Sequence, residues 1–283
     1  MLILSHFHLL DYNRSDGMKK GCTFAVENEK STMMNKIETP TRLFDIIDCR
    51  SALRNRRPCF RYKDTDVTVE AYRRQVDALS HALLLRGLKR GEAVALVSEN
   101  RPEWNVVDMA VMQAGGVLLP LCIGLSAEEY TECLNNAGVR MLFLEDSSLY
   151  DRFRLILPQI EKLEYLLSIE PLPMGTALGT LLVEGRVNAN EPELERRRNL
   201  VTSDDMCTMV YCGGGIYRCL SHRAVLEDVL EQVSTESQRR NAAMGNNALC
   251  TLYGRTRNYV CQLAGRTVRY PTPEAVLDQL SVA

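Results

Sequence analysis

Three consecutive glycines, Gly213, Gly214 and Gly215, with Arg218 as the cation that follows them, are residues of this 283-residue chain that could meet an anion. Glycine adopts backbone conformations closed to other residues, and the N–H groups of a glycine-rich turn can converge on a phosphate while a nearby cation adds charge. The competing reading is a flexible turn that leads into a helix capped by Ser221. Cys207, Cys212, Cys219 and His222 crowd the same stretch. Thiolates and an imidazole at short spacing suggest zinc, but a structural site carries the paired Cys-x-x-Cys spacing that this set lacks, so no metal site is expected. Cys212 as a nucleophile with His222 as its base would need a third group to orient the imidazole, and none is evident. No Gly-x-Gly-x-x-Gly follows a strand-like run, so a dinucleotide-dependent oxidoreductase has no support.

The elements that must position these residues alternate along the chain. Thr68 can cap a helix whose apolar positions Tyr72, Val76, Leu79 and Leu83 share one face, and Gly87 ends it. Residues 93–97 are apolar throughout, as in strands buried on both faces. A helix through Trp104 follows, its indole expected in the core, and then a strand over 117–121. Ser126 and Glu129 form a capping box for a helix to Asn136. Further strands are predicted at 140–144 and 165–169, with a helix between them through Leu155. Residues 171–200 read as an exposed connection in which Arg196, Arg197 and Arg198 are solvated. Regular pattern resumes at 206–211, then a helix from Ser221 through Val225, Val229 and Val233, a buried strand at 248–252, and a final helix from Thr272 and Pro273. Strands and helices at this spacing predict an α/β fold, a mostly parallel sheet flanked by helices. Residues 1–40 show no sustained period and are expected to be a poorly ordered arm, with 41–283 as the folded part.

Composition narrows the partners. With 46% hydrophobic and 25% charged residues and a formal net charge of −2, the chain gives no electrostatic reason to expect nucleic acid or an anionic membrane. No apolar run approaches the roughly 20 residues of a membrane-spanning helix, and the apolar opening lacks the basic start and small-residue cleavage site of a signal peptide. Ten cysteines in a chain able to build its own core are expected to be reduced and the protein cytoplasmic, with Cys122 serving as a small hydrophobe in its apolar run.

Phe60-Arg61-Tyr62-Lys63-Asp64 ahead of the Tyr72 helix, the stretch from Gly87 to Leu96, Ser98-Glu99-Asn100-Arg101-Pro102-Glu103-Trp104, and Leu125-Ser126-Ala127-Glu128-Glu129 follow one another in a telling order. That order and spacing resembles the N-terminal part of the adenylate-forming superfamily, and most of all its long-chain acyl-CoA synthetase branch. The resemblance covers about 41–283, and residues 98–104 carry its most specific part. It implies a partial AMP-binding domain, ATP with Mg and CoA as cofactors, and ATP-dependent acyl adenylation followed by thioester formation.

In such enzymes a strand ending in tyrosine leads into a loop of Ser, Thr and Gly that closes on a lysine and holds the ATP phosphates. The resemblance therefore assigns cofactor binding to Gly213, Gly214, Gly215 and Arg218. The loop here is shorter, lacks the serine and threonine hydroxyls, and has no lysine counterpart. A second match places Arg255 and Tyr259 in register with the family, but Thr251 stands where the family has a histidine. Family members continue into a second subdomain and a C-terminal domain. The expectation is a chain that does not complete this reaction alone, with a non-catalytic pseudo-enzyme or interaction module, or a truncated gene product, as alternatives. Sheet edges left open by that shortening are expected to be covered by self-association or a protein partner.

Overall fold

A computed structural model describes residues 39–53, 57–236 and 248–270. In chain order the elements are α1 (Ile46–Ala52), β1 (Phe60–Tyr62), β2 (Thr65–Val67), α2 (Val69–Leu85), β3 (Ala93–Val97), α3 (Pro102–Gln113), β4 (Val117–Leu121), α4 (Ala127–Asn136), β5 (Met141–Leu144) and α5 (Ser147–Phe153). They continue with β6 (Tyr165–Ser168), β7 (Thr176–Ala177), α6 (Leu178–Val187), α7 (Glu191–Leu200), β8 (Met206–Tyr211), β9 (Tyr217–Ser221), α8 (His222–Glu236), α9 (Leu252–Leu263) and β10 (Val268–Tyr270).

Seven strands form the main sheet in the order β7-β6-β5-β3-β4-β8-β9. It is parallel throughout except where β9 folds back antiparallel on β8. The central strands β3, β4 and β5 are buried at every position, which is why their sequences are continuous apolar runs rather than alternating ones. Pro120 sits inside β4 although it has no N–H to donate. The register explains this, because β4 pairs with β8 only at Leu118↔Thr208, before the proline. A smaller sheet, β10-β1-β2, lies apart, with β10 parallel to β1.

Caps set the helix starts. The Thr68 side chain accepts the Ala71 N–H at 3.2 Å, and Ser126 and Glu129 form the reciprocal capping box of α4 at 3.2 and 2.8 Å. Gly87 ends α2 at a φ of +74°, left-handed and open to glycine. Trp104 is fully buried.

Three sequence expectations need correction. Residues 171–200 are not an exposed connection. They form α6 and α7, with Leu178, Leu181 and Leu194 in the core. Gly185 lets α6 lie on α2 so closely that a Cβ there would come 1.7 Å from the Ala78 carbonyl oxygen. Asn190 caps α7 by accepting the Glu193 N–H, and the arginine cluster is paired: Arg196 and Arg197 with Glu193, and Arg198 with Asp48. Next, 248–252 is not a strand, because Thr251 accepts the Gly254 N–H and starts α9. Last, Cys122 is neither buried nor reduced: it is exposed just past β4 and forms a disulfide with Cys250. The N-terminal arm up to residue 38 and the helix expected from Thr272 lie outside the described residues.

Candidate functional site

Val94, Leu96 and Leu118 pack with Trp104, Val107 and Val111 of α3 on one face of the sheet. Ala95, Val97 and Leu119 pack with Tyr130, Leu134 and Leu149 of α4 and α5 on the other. The connection leaving β3 thus crosses one face while those leaving its neighbours β4 and β5 cross the opposite one. That reversal opens a crevice outside the carboxyl ends of the strands, the usual ligand position in open α/β sheets.

One guanidinium holds part of this edge. Arg101, just beyond β3, donates from Nη1 to Glu145 at 3.0 Å and Glu170 at 2.9 Å, and from Nε to Glu103 at 2.9 Å. Glu145 also takes the Glu99 N–H at 2.7 Å. Burial works against the Arg101 charge, but the three carboxylates overcome it and hold the guanidinium protonated well above its ordinary range. Burial and the nearby Glu145 push the Glu99 carboxyl upward. Carboxylates outnumber cations here, which disfavours a polyphosphate at the ends of β3, β5 and β6.

The predicted phosphate-loop residues form the tip of a hairpin. The sequence reading missed β9, which pairs with β8 from Tyr211↔Tyr217 to Met206↔Ser221. Five residues following a glycine-rich turn were the available signal. Cys212 N–H donates to Ile216 O at 2.9 Å and Ile216 N–H to Gly213 O at 3.1 Å, closing a short turn. Gly213, Gly214 and Gly215 all have positive φ, at 94°, 56° and 73°. A Cβ on Gly213 or Gly214 would meet nothing within 4 Å, whereas one on Gly215 would lie 2.6 Å from Glu132 Oε1. The turn therefore rests against a carboxylate on α4. Tyr217 anchors the hairpin by donating to the Cys133 carbonyl at 2.7 Å. Arg218 is exposed and opposite Val210, along the strand rather than within the turn.

Behind the edge lies a buried polar network that fixes α9. Arg255 donates to Asp108 at 2.6 Å and to Thr208, and the Tyr259 hydroxyl donates to the other Asp108 oxygen. Thr208 in turn donates to the Leu118 carbonyl at 2.9 Å, so α9 is tied to α3, β4 and β8 at once. Burial pushes the Asp108 carboxyl upward while Arg255 and Tyr259 pull it down, and Arg255 is held protonated despite its own burial. Asn105, Asn258 and Tyr270 extend the network to β10. Arg255 and Tyr259, matched on sequence, thus act in packing. Thr251 acts as the helix cap.

The cysteine and histidine set does not converge. Cys207 is buried and donates to the Leu220 carbonyl, Cys212 and Cys219 are exposed, and Cys212 follows β8 at the turn while His222 follows β9 at the other end of the hairpin. His222 is buried with Nδ1 accepting the Leu43 N–H at 3.1 Å. Burial pushes its imidazole down to about 4. Among the described residues no group of three His, Cys, Asp or Glu side chains could hold a metal ion, and no helix is long and apolar enough to cross a membrane. A cleft of about 320 Å³, lined by Arg90, Met112, Val201, Asp205, Met206 and His222, lies at the amino ends of the strands. It is remote from the crevice, and the topology favours the crevice as the functional edge.

Comparison with known proteins agrees with this fold. The family model described as AMP-binding enzyme matches residues 49–281. Long-chain-fatty-acid--CoA ligase FadD15 of Mycobacterium bovis is 28% identical over 152 residues, 53% of this chain and 25% of that protein. The chain thus spans about a quarter of the length of that curated relative. The anthranilate CoA ligase AuaEII, solved in complex with anthranoyl-AMP, superposes with a TM-score of 0.68 at 16% identity, over 86% of this chain and 46% of that one. The inhibitor-bound N-terminal domain of FACL13 from Mycobacterium tuberculosis gives a TM-score of 0.65 at 16% identity, over 82% of this chain and 58% of that one. At these identities the structural matches speak to the fold alone.

Proposed function

Because the chain belongs to the AMP-binding enzyme family, we propose that it is the N-terminal portion of an adenylate-forming acyl-CoA ligase fold that keeps a loose phosphate contact and does not adenylate fatty acids by itself. The observation that carries this reading is the glycine turn resting on Glu132. The residues present do not fit a triphosphate held for transfer. The turn is closed by its own backbone bonds, it has a carboxylate against Gly215, and Arg218 lies on the strand beyond it. Transfer to or from a phosphate depends on positioning, and backbone donors alone position poorly. Gly213, Gly214, Gly215 and Arg218 can still meet a phosphate through the backbone N–H groups of the turn and one exposed cation. ATP with Mg, CoA and a long-chain acyl group belong to this reading through the family, as does a cytoplasmic setting.

The second reading, a non-catalytic module for a partner or for self-association, is favoured by one feature. The Asp108–Arg255 network and the α2–α6 packing keep a rigid scaffold while the turn carries neither hydroxyl donors nor a lysine. Calorimetric titration with Mg·ATP tests the primary reading. Binding should be weak, with a Kd of about 1 mM or above, reduced in Arg218→Ala and strengthened in Glu132→Lys. Micromolar binding to the wild-type chain that is lost in Arg218→Ala would overturn it.

A further inference from the structure

We infer that Cys122 and Cys250 form a redox modification site, a thiol–disulfide exchange point that fastens residues 248–250 as a strap across the crevice between the ends of β3 and β4. The inference goes beyond the nucleotide reading and needs no nucleotide to be true.

The strap crosses at a defined place. Val97 and Leu121, the last residues of β3 and β4, are paired neighbours. Leu249 N–H donates to the Asn100 side chain at 2.8 Å, just beyond β3. One residue later, Cys250 bonds to Cys122, the first residue beyond β4. Residues 249 and 250 therefore bridge the two strand ends on either side of the reversal where ligands of such sheets bind. The link joins positions 128 apart in sequence, and the segment it fastens leads directly into Thr251 and α9.

The same placement suits exchange. Cys122 is exposed and Cys250 half-buried, so a reductant's thiolate reaches the Cys122 sulfur first. Attack there breaks the S–S bond, forms a mixed disulfide at Cys122 and releases Cys250 as thiolate. Cys250 immediately precedes the Thr251 cap of α9, and the partial positive charge at that helix end stabilises the departing anion. The second thiol of a dithiol reductant then frees Cys122. In sum two electrons and two protons pass from the dithiol to the cystine, which becomes two thiols. Disulfides persisting in thiol-reducing compartments are mostly transient or regulatory, and an exposed bond at a site edge has that character. In the reduced protein the strap keeps the buried Leu249 side chain and the Asn100 hydrogen bond as anchors, so its opening becomes a thermal fluctuation rather than a covalent impossibility.

The test uses the full chain, oxidised in air or reduced with dithiothreitol without denaturant. Alkylation with N-ethylmaleimide and peptide mapping should find Cys122 and Cys250 linked before reduction and both alkylated after it. Amide deuterium exchange over 248–256 should then rise by about tenfold or more on reduction, with β3 and β4 unchanged. Cys122→Ser and Cys250→Ser should show the fast exchange under both conditions, and Cys212→Ser should respond as the wild type does. Cys122 and Cys250 both open to alkylation in the air-oxidised chain, or exchange over 248–256 indifferent to reduction, would overturn the inference.

Discussion

Replacing Asp108 by Ala removes the carboxylate from a site where both partners are inaccessible, Asp108 at 0% exposure and Arg255 at 1%. Arg255 then keeps its bonds to Thr208 and Tyr259 and its position 5.4 Å over the Trp104 ring, but its charge has no counterion. Breaking a buried pair from one side costs about 3–5 kcal/mol, against a typical domain stability of about 5–15 kcal/mol. For a domain of this size that corresponds to a fall in Tm of roughly 10 °C. The cost should fall on α9 first, because Arg255 and Tyr259 both tie it to α3 through Asp108 and Arg255 also ties it to β8. Urea denaturation followed by far-ultraviolet circular dichroism measures it, with the double variant Asp108→Leu/Arg255→Met as the second arm. Removing both charges leaves no orphaned ion, so the double variant should lose less than Asp108→Ala alone. A loss below about 1 kcal/mol in Asp108→Ala would place the pair in water and refute the packing described above.

Gly185→Ala should destabilise by about 1–3 kcal/mol, since its methyl would meet the Ala78 carbonyl, whereas Gly179→Ala on the same helix has open space and should stabilise by about 0.5–1 kcal/mol; paired urea titrations separate the two. Burial lowers the His222 imidazole from 6.5 to about 4 in the folded chain. Below pH 6.5 the unfolded chain therefore binds a proton that the folded chain refuses. The imidazole's share of stability should fall as pH drops from 6.5 toward 4, by roughly 3 kcal/mol, and His222→Gln should flatten the slope by that share. Because Glu132 abuts the glycine turn, Glu132→Gln should strengthen inorganic pyrophosphate binding measured by calorimetry, and an unchanged affinity would separate the carboxylate from the turn.

The parallel sheet was legible because its signals are local. Continuous apolar runs such as 93–97, and caps such as Thr68 and Ser126, depend on neighbours a few residues away. What escaped depends on distance. Gly185 is conspicuous only once α2 lies against it, and β9 becomes a strand only because β8 offers its edge. Thr251 at the head of 251–255 fits a strand end as well as a helix cap, and the Arg255–Asp108 pair decides between them. At the site, the loss of hydroxyls and lysine was visible in sequence. The carboxylate of Glu132 and the sulfur of Cys250, 128 positions from its partner, were not.

On the proposed reading, this chain keeps the fold of an adenylate-forming ligase without its adenylation chemistry. Fatty-acid-dependent exchange of labelled pyrophosphate into ATP measures that chemistry directly, run on the purified full chain with a panel of acyl lengths. The expected result is no exchange above the enzyme-free control for any acid. Exchange that depends on a fatty acid and disappears in Arg218→Ala would contradict it, and would make the glycine hairpin a working phosphate site.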